Sequence, residues 1–430
     1  MKLGRNRATR RPFAVLDIGS SKICCMIGEA DRGGGIRVLG QGTHGSAGMR
    51  GGEVSNLDLL SEVIGKSVQA AENEAGVSVA SVTVVLGGGK PVSAIHTQSI
   101  TMSDTTVTNR DIRRLLDKNS DRSSQTHQLM QLQTLQYGLD EVRGIVDPLG
   151  MRGRKLSVDY TIVSGAQTSL ANFREALALN HLSVDRFIHS GYAAGLACLS
   201  DEERDLGSTI IDLGGGTTSL AIFMDGKMIY ADSIAIGGNH VTTDIARILS
   251  TPTSEAERLK AIHGSIMPID VMASAPSPLQ QAVKLGRSDN ITIPGLGDMI
   301  EAGGQTIERN LLSAIIRPRI DEILELLQNR MDAAKMKHAA GSRFVLTGGG
   351  SQLTGIRDFC AKELQKSIGL GMPSGITGLS DDDYGPGNAA AIGALIHVSR
   401  IEDDDPTERQ TRTLPHGPIE RFGAWLRDNL

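Results

Sequence analysis

The chain has 430 residues, of which 40% are hydrophobic and 22% are charged, and its formal net charge is −5. This length exceeds what a single hydrophobic core normally supports, so we expect two or more domains of an ordinary soluble protein. The negative charge argues against broad nucleic-acid binding, and aromatic residues, at 3%, are too scarce to stack single-stranded bases.

Neither the N-terminus nor the cysteines indicate secretion. Residues 1–11 are basic but lead into no signal-peptide core, and no apolar run approaches a membrane-spanning length. We expect this segment to be disordered, with the alternative that it assists binding at a membrane surface. The cysteines have neither CxxC nor zinc-site spacing, so we expect buried thiols in a reducing compartment. They are Cys24, Cys25, Cys198 and Cys360.

The first element, at 13–23 (FAVLDIGSSKI), predicts a strand, a glycine turn and a second strand. The turn places a carboxylate and small polar residues directly after the first strand: Asp17, Gly19, Ser20, Ser21 and Lys22. Bare N–H groups in such a turn bind an anion, most often a phosphate, and a carboxylate at a strand end can hold Mg2+ through water. Lys22 adds a point charge suited to phosphate, or is an ordinary solvated lysine.

The next segments predict a strand at 36–43, a helix at 57–76 and a strand at 81–89 that is closed by glycines. The pattern then changes over 91–160, where we expect an inserted small domain of short, polar strands with a helix at 108–118. After it the chain returns to the pattern of the first domain.

A strand at 158–165, an amphipathic helix at 168–180 and a connector at 184–199 lead to a second hairpin at 210–223 (IIDLGGGTTSLAIF). This hairpin repeats the first, with a carboxylate before the turn: Asp212, Gly214, Gly215, Gly216 and Thr217. Either hairpin alone is compatible with an ordinary glycine-rich β-turn. Together they predict two related halves that close on one nucleotide.

A second insertion is predicted over 235–310, with helices at 239–249 and 254–264 and a Pro/Ser/Gly-rich loop with short strands at 268–300. A long periodic helix follows at 306–330. Two elements complete the globular part: a strand, glycine turn and helix start at 344–356 (FVLTGGGSQLTGI), and a small-residue helix at 387–399.

The order of these motifs resembles that of the actin-like ATPase superfamily. The resemblance implies an α/β chain with the actin-like ATPase fold, that is, two related halves around a nucleotide cleft, here with an inserted subdomain named 1C. In that superfamily the two Asp hairpins hold the phosphates and Mg2+, and the third glycine motif packs against adenine and ribose.

Several segments are further similar to the FtsA family of bacterial cell-division proteins, and the similarity covers about residues 12–398 and the C-terminal tail. They are RGGEVSN (50–56), DPLGM (147–151), DEERDL (201–206), IDLGGGT (211–217), AIGGNHVTTDI (235–245), PTSEAERLKAIHG (252–264) and VLTGGG (345–350). The stretch 235–264 is the most specific to this family, since generic relatives such as sugar kinases are not expected to carry it.

The similarity to this family implies four subdomains between a basic N-terminal tail and a C-terminal linker and helix. The four subdomains are 1A at 12–85, 165–205 and 386–398; an SHS2-like 1C at 86–164; 2A at 206–233 and 308–385; and 2B at 234–307. The tail is 1–11, the disordered linker is 399–417, and the amphipathic membrane-targeting helix is 418–430.

The resemblance also implies the cofactors ATP and Mg2+ and the residues that bind them. Asp17 and Asp212 match the carboxylates that orient Mg2+, and each hairpin supplies one phosphate turn. The adenosine turn matches four residues of the third motif: Gly348, Gly349, Gly350 and Gln352. Glu257 and Lys260, three apart on one helix face, match the pair that brackets ribose and adenine, with a surface salt bridge as the alternative.

One departure from the superfamily concerns hydrolysis. Active members carry Glu or Gln in the first connector to place the attacking water, whereas here Ser190 falls near that position, beside His189. Positioning a water contributes about 100- to 10,000-fold in rate, and serine is a poor base. We therefore expect tight ATP binding with slow or negligible hydrolysis, and identify no catalytic residue.

The C-terminal residues predict an interfacial helix. On a helix, an apolar stripe with a flanking tryptophan forms from Ile419, Phe422, Trp425, Leu426 and Leu430. Such a helix lies on a bilayer surface rather than crossing it. The alternative, a helix docked on the protein's own core, fits the preceding polar linker less well.

The implied function is that of a cell-division protein at the cytoplasmic face of the inner membrane. By family analogy its partners are FtsZ through subdomain 2B, further copies of itself in filaments, later division membrane proteins and the phospholipid surface. Two alternatives are the actin-like protein of type IV pilus assembly and a soluble kinase of the superfamily. Neither is expected to carry an amphipathic tail, and we find no candidate for a kinase's catalytic Asp.

Overall fold

The computed structural model describes residues 12–30, 35–117, 126–267, 290–293 and 305–404. The strands in these ranges are β1 (Phe13–Ile18), β2 (Lys22–Ala30), β3 (Ile36–Gly45), β4 (Met49–Arg50), β5 (Glu53–Val54), β6 (Ser81–Leu86), β7 (Val92–Thr101), β8 (His127–Leu139), β9 (Val142–Ile145), β10 (Lys155–Ala166), β11 (Ser183–His189), β12 (Ser208–Leu213), β13 (Thr218–Met224), β14 (Lys227–Ile234), β15 (Asn290–Ile293), β16 (Gln305–Glu308), β17 (Arg343–Thr347), β18 (Ser367–Leu370) and β19 (Ile376–Thr377). The helices are α1 (Leu57–Ala75), α2 (Asn109–Asp117), α3 (Gln167–Ala178), α4 (Ser190–Cys198), α5 (Asp201–Leu206), α6 (Gly238–Ile248), α7 (Thr253–His263), α8 (Arg309–Ala333), α9 (Ile356–Leu364) and α10 (Ala389–Asp404).

Two large sheets repeat the same topology, which confirms the expectation of two related halves. The first sheet has the order β11-β6-β1-β2-β3-β19, and the second has the order β14-β13-β12-β17-β18. In each, a leading strand (β1 or β12) pairs antiparallel with the next strand and parallel with a later one. The parallel neighbours come from distant parts of the chain, because parallel strands need a long crossover connection.

Helices α4 and α10 lie between the two sheets and join the halves. One core cluster contains side chains of both sheets, such as Val15 and Met26 from the first and Ile210 and Phe223 from the second. The helices approach so closely that a Cβ atom on Gly393 would lie 1.6 Å from the carbonyl oxygen of Ala193. The small residues predicted for this region therefore serve backbone-to-backbone packing.

The segment inserted into the first half forms a separate sheet in the order β7-β10-β8-β9, with α2 packed on it around buried Tyr160 and Leu115. It also contacts the second half: Thr161 Oγ1 donates to the carbonyl oxygen of Ile229 at 3.3 Å. The expectation of short strands here is wrong, since β7, β8 and β10 have 10, 13 and 12 residues. The polar residues in this segment lie on strand faces that are open to solvent, and they do not mark the ends of the strands.

The predicted helices agree with the structure to within a few residues at their ends. The exception is α10, which continues to Asp404 and so overlaps the start of the disordered linker that the sequence predicts from residue 399. Nothing in 399–404 breaks a helix, and Pro406 is the first residue that disfavours helical geometry in its neighbour. The remaining linker, the tail 418–430 and residues 1–11 lie outside the described residues. So does most of the predicted loop at 268–300, apart from β15.

The cysteines are free thiols, of which Cys24, Cys25 and Cys360 are buried as expected and Cys198 is half-buried. Within the described ranges, every helix is too short or too polar to cross a bilayer.

We predict that Gly393→Ala destabilises the protein although alanine favours helices by roughly 1 kcal/mol over glycine. The new Cβ atom overlaps Ala193 and forces α4 and α10 apart, and such overpacking costs about 1–3 kcal/mol. We expect the melting temperature, measured by circular dichroism, to fall by a few degrees. Gly45→Ala is the matched control, because a Cβ atom there meets nothing within 4 Å. Equal melting temperatures for the two variants would contradict the close packing of the helices.

Candidate nucleotide-binding cleft

A cleft of about 500 Å³ lies where the two halves meet, at the ends of β1, β12 and β17. It collects nearly all of the nucleotide-site residues singled out in the sequence, from five separate stretches of the chain. Its lining includes Asp17, Gly19, Ser20, Ser21, Lys22, Ser190, Asp212, Gly214, Gly215, Thr217, Glu257, Lys260, Gly348, Gly349, Gly350 and Gln352. Gly216 is the exception, because it lines a second, smaller cavity behind the phosphate turns.

The two aspartates lie deep in the cleft and influence each other's charge. Desolvation, with a smaller contribution from the charge of Asp212, raises the pKa of Asp17 to about 7. Desolvation raises the pKa of Asp212 to about 6, against the opposing effects of a hydrogen bond from Ser190 and the charge of Lys22. A pair of desolvated carboxylates with a single nearby ammonium group provides a favourable position for a further cation.

Lys22 is held in place by the second connector. Its Nζ donates to Oδ1 of Asn388 at 2.5 Å, and Asn388 is buried directly before α10. The Asn388 amide in turn donates to the carbonyl oxygen of Asp383 at 2.9 Å. Lys22 is therefore an oriented charge beside the aspartates and not a freely solvated lysine.

The two phosphate turns touch each other across the cleft floor. A Cβ atom on Gly215 would lie 1.9 Å from Ser21 Oγ, so only glycine allows the turns to approach this closely. The third turn is equally tight, since Gly348 has φ +80° and a Cβ atom there would lie 2.3 Å from Asp212 Oδ1. Glycines thus let three turns converge on one place.

Lys260 is fixed by three acceptors on α6 and α7. Its Nζ donates to Glu257 at 2.7 Å, to Thr242 Oγ1 at 2.8 Å and to the carbonyl oxygen of Gly238 at 3.1 Å. Ile320 and Ala261 add apolar lining beside it. The pair therefore lies in the cleft wall, although Glu257 also forms the salt bridge that was the alternative.

Ser190 and His189 face different environments. Ser190 lines the cleft, and its Oγ lies at hydrogen-bond distance, 2.9 Å, from Ser219 Oγ. The fully buried His189 turns away from the cleft, with Nε2 2.9 Å from Ser233 Oγ. Burial lowers the pKa of His189 to about 4, so its ring is neutral at physiological pH. His189 therefore does not reach a water in the cleft.

Several lining residues were not assigned to the site from the sequence. They are Gly52, Gly87, Gly88, Asn239, Ile320, Thr354 and Gly387. The glycine run after β6 could have been assigned to the site from the sequence, because it follows a strand as the other glycine turns do. Asn239 and Ile320 have no such signal, since each reaches the cleft only through the packing of its helix.

Comparisons with known proteins identify the family of the chain. A sequence model described as "Cell division protein FtsA" matches residues 209–393, and one described as "SHS2 domain inserted in FTSA" matches residues 88–164. Cell division protein FtsA of Agrobacterium fabrum (strain C58 / ATCC 33970) is 36% identical over 97% of this chain and 94% of its own length. The chain belongs to the FtsA family. The SHS2 match falls on the inserted sheet of β7 to β10.

Solved structures show the fold of the FtsA-family chain. A protein of the PilM-PilN type IV pilus biogenesis complex matches with a TM-score of 0.60 at 16% identity, over 91% of this chain and 99% of that one. MreB5 of Spiroplasma citri bound to ADP matches with a TM-score of 0.51 at 14% identity, over 92% and 99% of the two chains. The expected actin-like ATPase fold with an inserted subdomain is therefore confirmed.

We predict that Asp17→Asn stabilises the protein at neutral pH when metal and nucleotide are absent. Because the folded pKa of Asp17, about 7, exceeds its unfolded value, the folded chain binds more protons between about pH 4 and pH 7. The wild-type free energy of unfolding therefore falls as the pH rises through this window, and a neutral amide at this position removes the loss. Thermal melts in EDTA at pH 4 and pH 8 should show the variant gaining a few degrees only at the higher pH.

Asp185→Asn is the control for this experiment, because Asp185 is exposed on β11 and lies outside the cleft. A pH-independent difference between Asp17→Asn and wild type would contradict the proposed desolvation of Asp17.

Proposed function

We propose that this protein binds Mg-ATP in the cleft, polymerises as an actin-like filament and tethers the FtsZ ring to the inner membrane through its C-terminal helix. It then recruits later division proteins at that site. The observation that carries the proposal is the convergence of two Asp hairpins and a third glycine turn on one cleft, in a chain of the FtsA family.

The cleft suits a nucleotide in its volume and in the distribution of its polar groups. The two Asp hairpins and Lys22 would hold the phosphates with N–H donors and a positive charge. The third glycine turn, apolar Ile320 and Ala261 and the oriented Lys260 would meet adenine and ribose. The MreB5 structure of the same fold is described as bound to ADP, which is consistent with this assignment.

Asp17 and Asp212 would hold Mg2+ through its water ligands, because Mg2+ keeps several waters and takes few protein carboxylates. The desolvated state of the two carboxylates fits a divalent cation, which would offset their raised pKa values. When bound, Mg2+ supplies charge that neutralises the phosphates. The chain's own contribution is to position the phosphates on the turns and to exclude water around them.

The competing functions are weaker. Both alternatives, a type IV pilus protein and a soluble kinase, share the fold. The pilus protein is related at 16% identity, whereas the cell-division relative is related at 36% over nearly the whole chain. We therefore propose cell division as the function and do not propose either alternative.

Self-association and the contact with FtsZ remain family-based parts of the proposal. We place the FtsZ contact on subdomain 2B (234–307), which includes α6 and α7, and filament contacts on subdomain 1C (86–164). Polymerisation would array many C-terminal helices on one membrane. One short interfacial helix binds weakly and reversibly, whereas linked helices raise the effective concentration and bind stably.

We predict that Trp425→Glu and deletion of 416–430 abolish co-sedimentation with anionic liposomes and leave ATP binding intact. A charge on the apolar stripe opposes insertion at the headgroup boundary. None of the residues proposed to bind ATP belongs to 416–430. The measurement compares pelleted protein with and without ATP, alongside binding of a fluorescent ATP analogue. Gln410→Glu is the matched control, since it adds the same charge outside the predicted helix. Persistent sedimentation of the deletion variant would rule out this anchor.

We also predict that purified protein binds ATP tightly and hydrolyses it slowly or hardly at all. Ser190 lies near the expected position of the water-orienting group but is a poor base, and His189 faces Ser233 instead. The measurement is phosphate production in a single turnover. Asp17→Asn, which we expect not to bind nucleotide, gives the background rate. Fast turnover that is lost in Ser190→Ala would overturn this prediction.

A further inference from the structure

A second cavity of about 250 Å³ lies behind the phosphate turns, and residues of both halves line it. Ser20 and Asn239 line both this cavity and the nucleotide cleft. Asn239 bridges the halves: its Nδ2 donates to the carbonyl oxygen of Ser20 at 3.3 Å, and its Oδ1 accepts from Ser21 Oγ at 3.1 Å. The two spaces are therefore separated by a thin partition of hydrogen-bonded side chains.

The second cavity has an excess of positive charge. Three guanidinium groups line it, those of Arg50, Arg247 and Arg319, and Asp244 is the one carboxylate among its described lining residues. Asp244 is engaged by Arg319, whose Nε and Nη2 donate to it at 2.8 and 3.0 Å. Arg50 and Arg247 are exposed, and neither has an ion pair within the described ranges. Two arginines from opposite halves are thus available to an anion.

An imidazole ring completes this lining. His240 Nδ1 accepts from the backbone N–H of Gly237 at 3.2 Å. In a neutral ring that bond leaves the hydrogen on Nε2, which can donate to a ligand. Guanidinium groups and an imidazole N–H match the oxygens of a tetrahedral oxyanion, because guanidinium donors pair with phosphate in a planar fork.

Two of the segments similar to the FtsA family meet at this cavity. Arg50 and Gly51 belong to the segment 50–56, and Asn239, His240 and Asp244 belong to the segment 235–245. Nucleotide binding in the cleft does not account for Arg50, His240 or Arg247, since none of them lines it. These residues therefore need an explanation of their own.

We propose that the second cavity binds inorganic phosphate, the group that ATP hydrolysis releases, on the far side of the Ser20–Asn239 partition. This inference rests on the proposed binding of ATP in the cleft. A free ion fits better than a phosphate attached to a larger molecule, because the cavity is small and lies between the two halves. Bound phosphate would bridge Arg50 of the first half and Arg247 of the second, and would hold the halves together after hydrolysis.

The test is equilibrium dialysis of radiolabelled orthophosphate against the full-length protein loaded with Mg2+ and either ADP or AMPPNP. Nucleotide loading is first verified by fluorescence, so that a failure to bind nucleotide is recognised separately as a failure of the proposed function. Phosphate should bind in both states, because the second cavity is distinct from the position of the terminal phosphate.

Arg50→Gln and Arg247→Gln should each weaken phosphate binding at least about tenfold, because each removes a charged hydrogen bond. Arg113→Gln is the matched control: it removes one charge from the exposed face of α2, which lines neither cavity. The phosphodiester glycerophosphoglycerol, a lipid headgroup without its chains, should not compete.

Three results would overturn the proposal. Phosphate binding only with ADP, at equal strength in all variants, would place the ion in the terminal-phosphate position of the cleft. Competition by glycerophosphoglycerol at a concentration equal to that of phosphate would indicate a headgroup site. Absence of phosphate binding in nucleotide-loaded wild type would show that the arginines serve another purpose.

Discussion

Two desolvated carboxylates, Asp17 and Asp212, lie within reach of each other's charge where the halves meet. Their raised pKa values, about 7 and about 6, mean that the folded chain without a cation holds charge at an energetic cost. That cost is tolerable only because rigid strands end at both residues and because glycine turns leave space for ligands that offset it. In the proposed function, a bound cation and nucleotide would offset this cost, and we expect the stability of the fold to depend on them.

The duplicated architecture positions this arrangement. Each half supplies one strand, one aspartate and one turn, and each connector helix begins beside the site. Ser190 opens α4 and lies next to Asp212, while Asn388 directly precedes α10 and orients Lys22. The close contact of α4 and α10 at Gly393 therefore also holds Ser190 and Asn388, at the starts of these helices, in position relative to each other.

Hydrogen bonds also join the halves outside these helices. Asn239 crosses the cleft to the first phosphate turn, and the inserted sheet reaches β14 through Thr161. Each such hydrogen bond contributes only about 0.5–1.5 kcal/mol net, because water replaces it when it breaks. Ligands that touch both halves, in the cleft or in the second cavity, can therefore shift the balance between closed and open arrangements.

The positions of the hairpins around Asp17 and Asp212, and most helix boundaries, were predictable from the sequence. Hydrophobic periodicity and glycine turns are local signals that need no knowledge of distant residues. The similarity to one family supplied the pairing of these motifs in a single site. The strand lengths of the inserted sheet were not predictable, because polar residues on its solvent-facing strands concealed their extent. The direction of His189, the partition formed by Asn239 and the cavity behind Gly216 were decided by tertiary packing, because each depends on backbones that are distant in sequence and meet only in the folded chain.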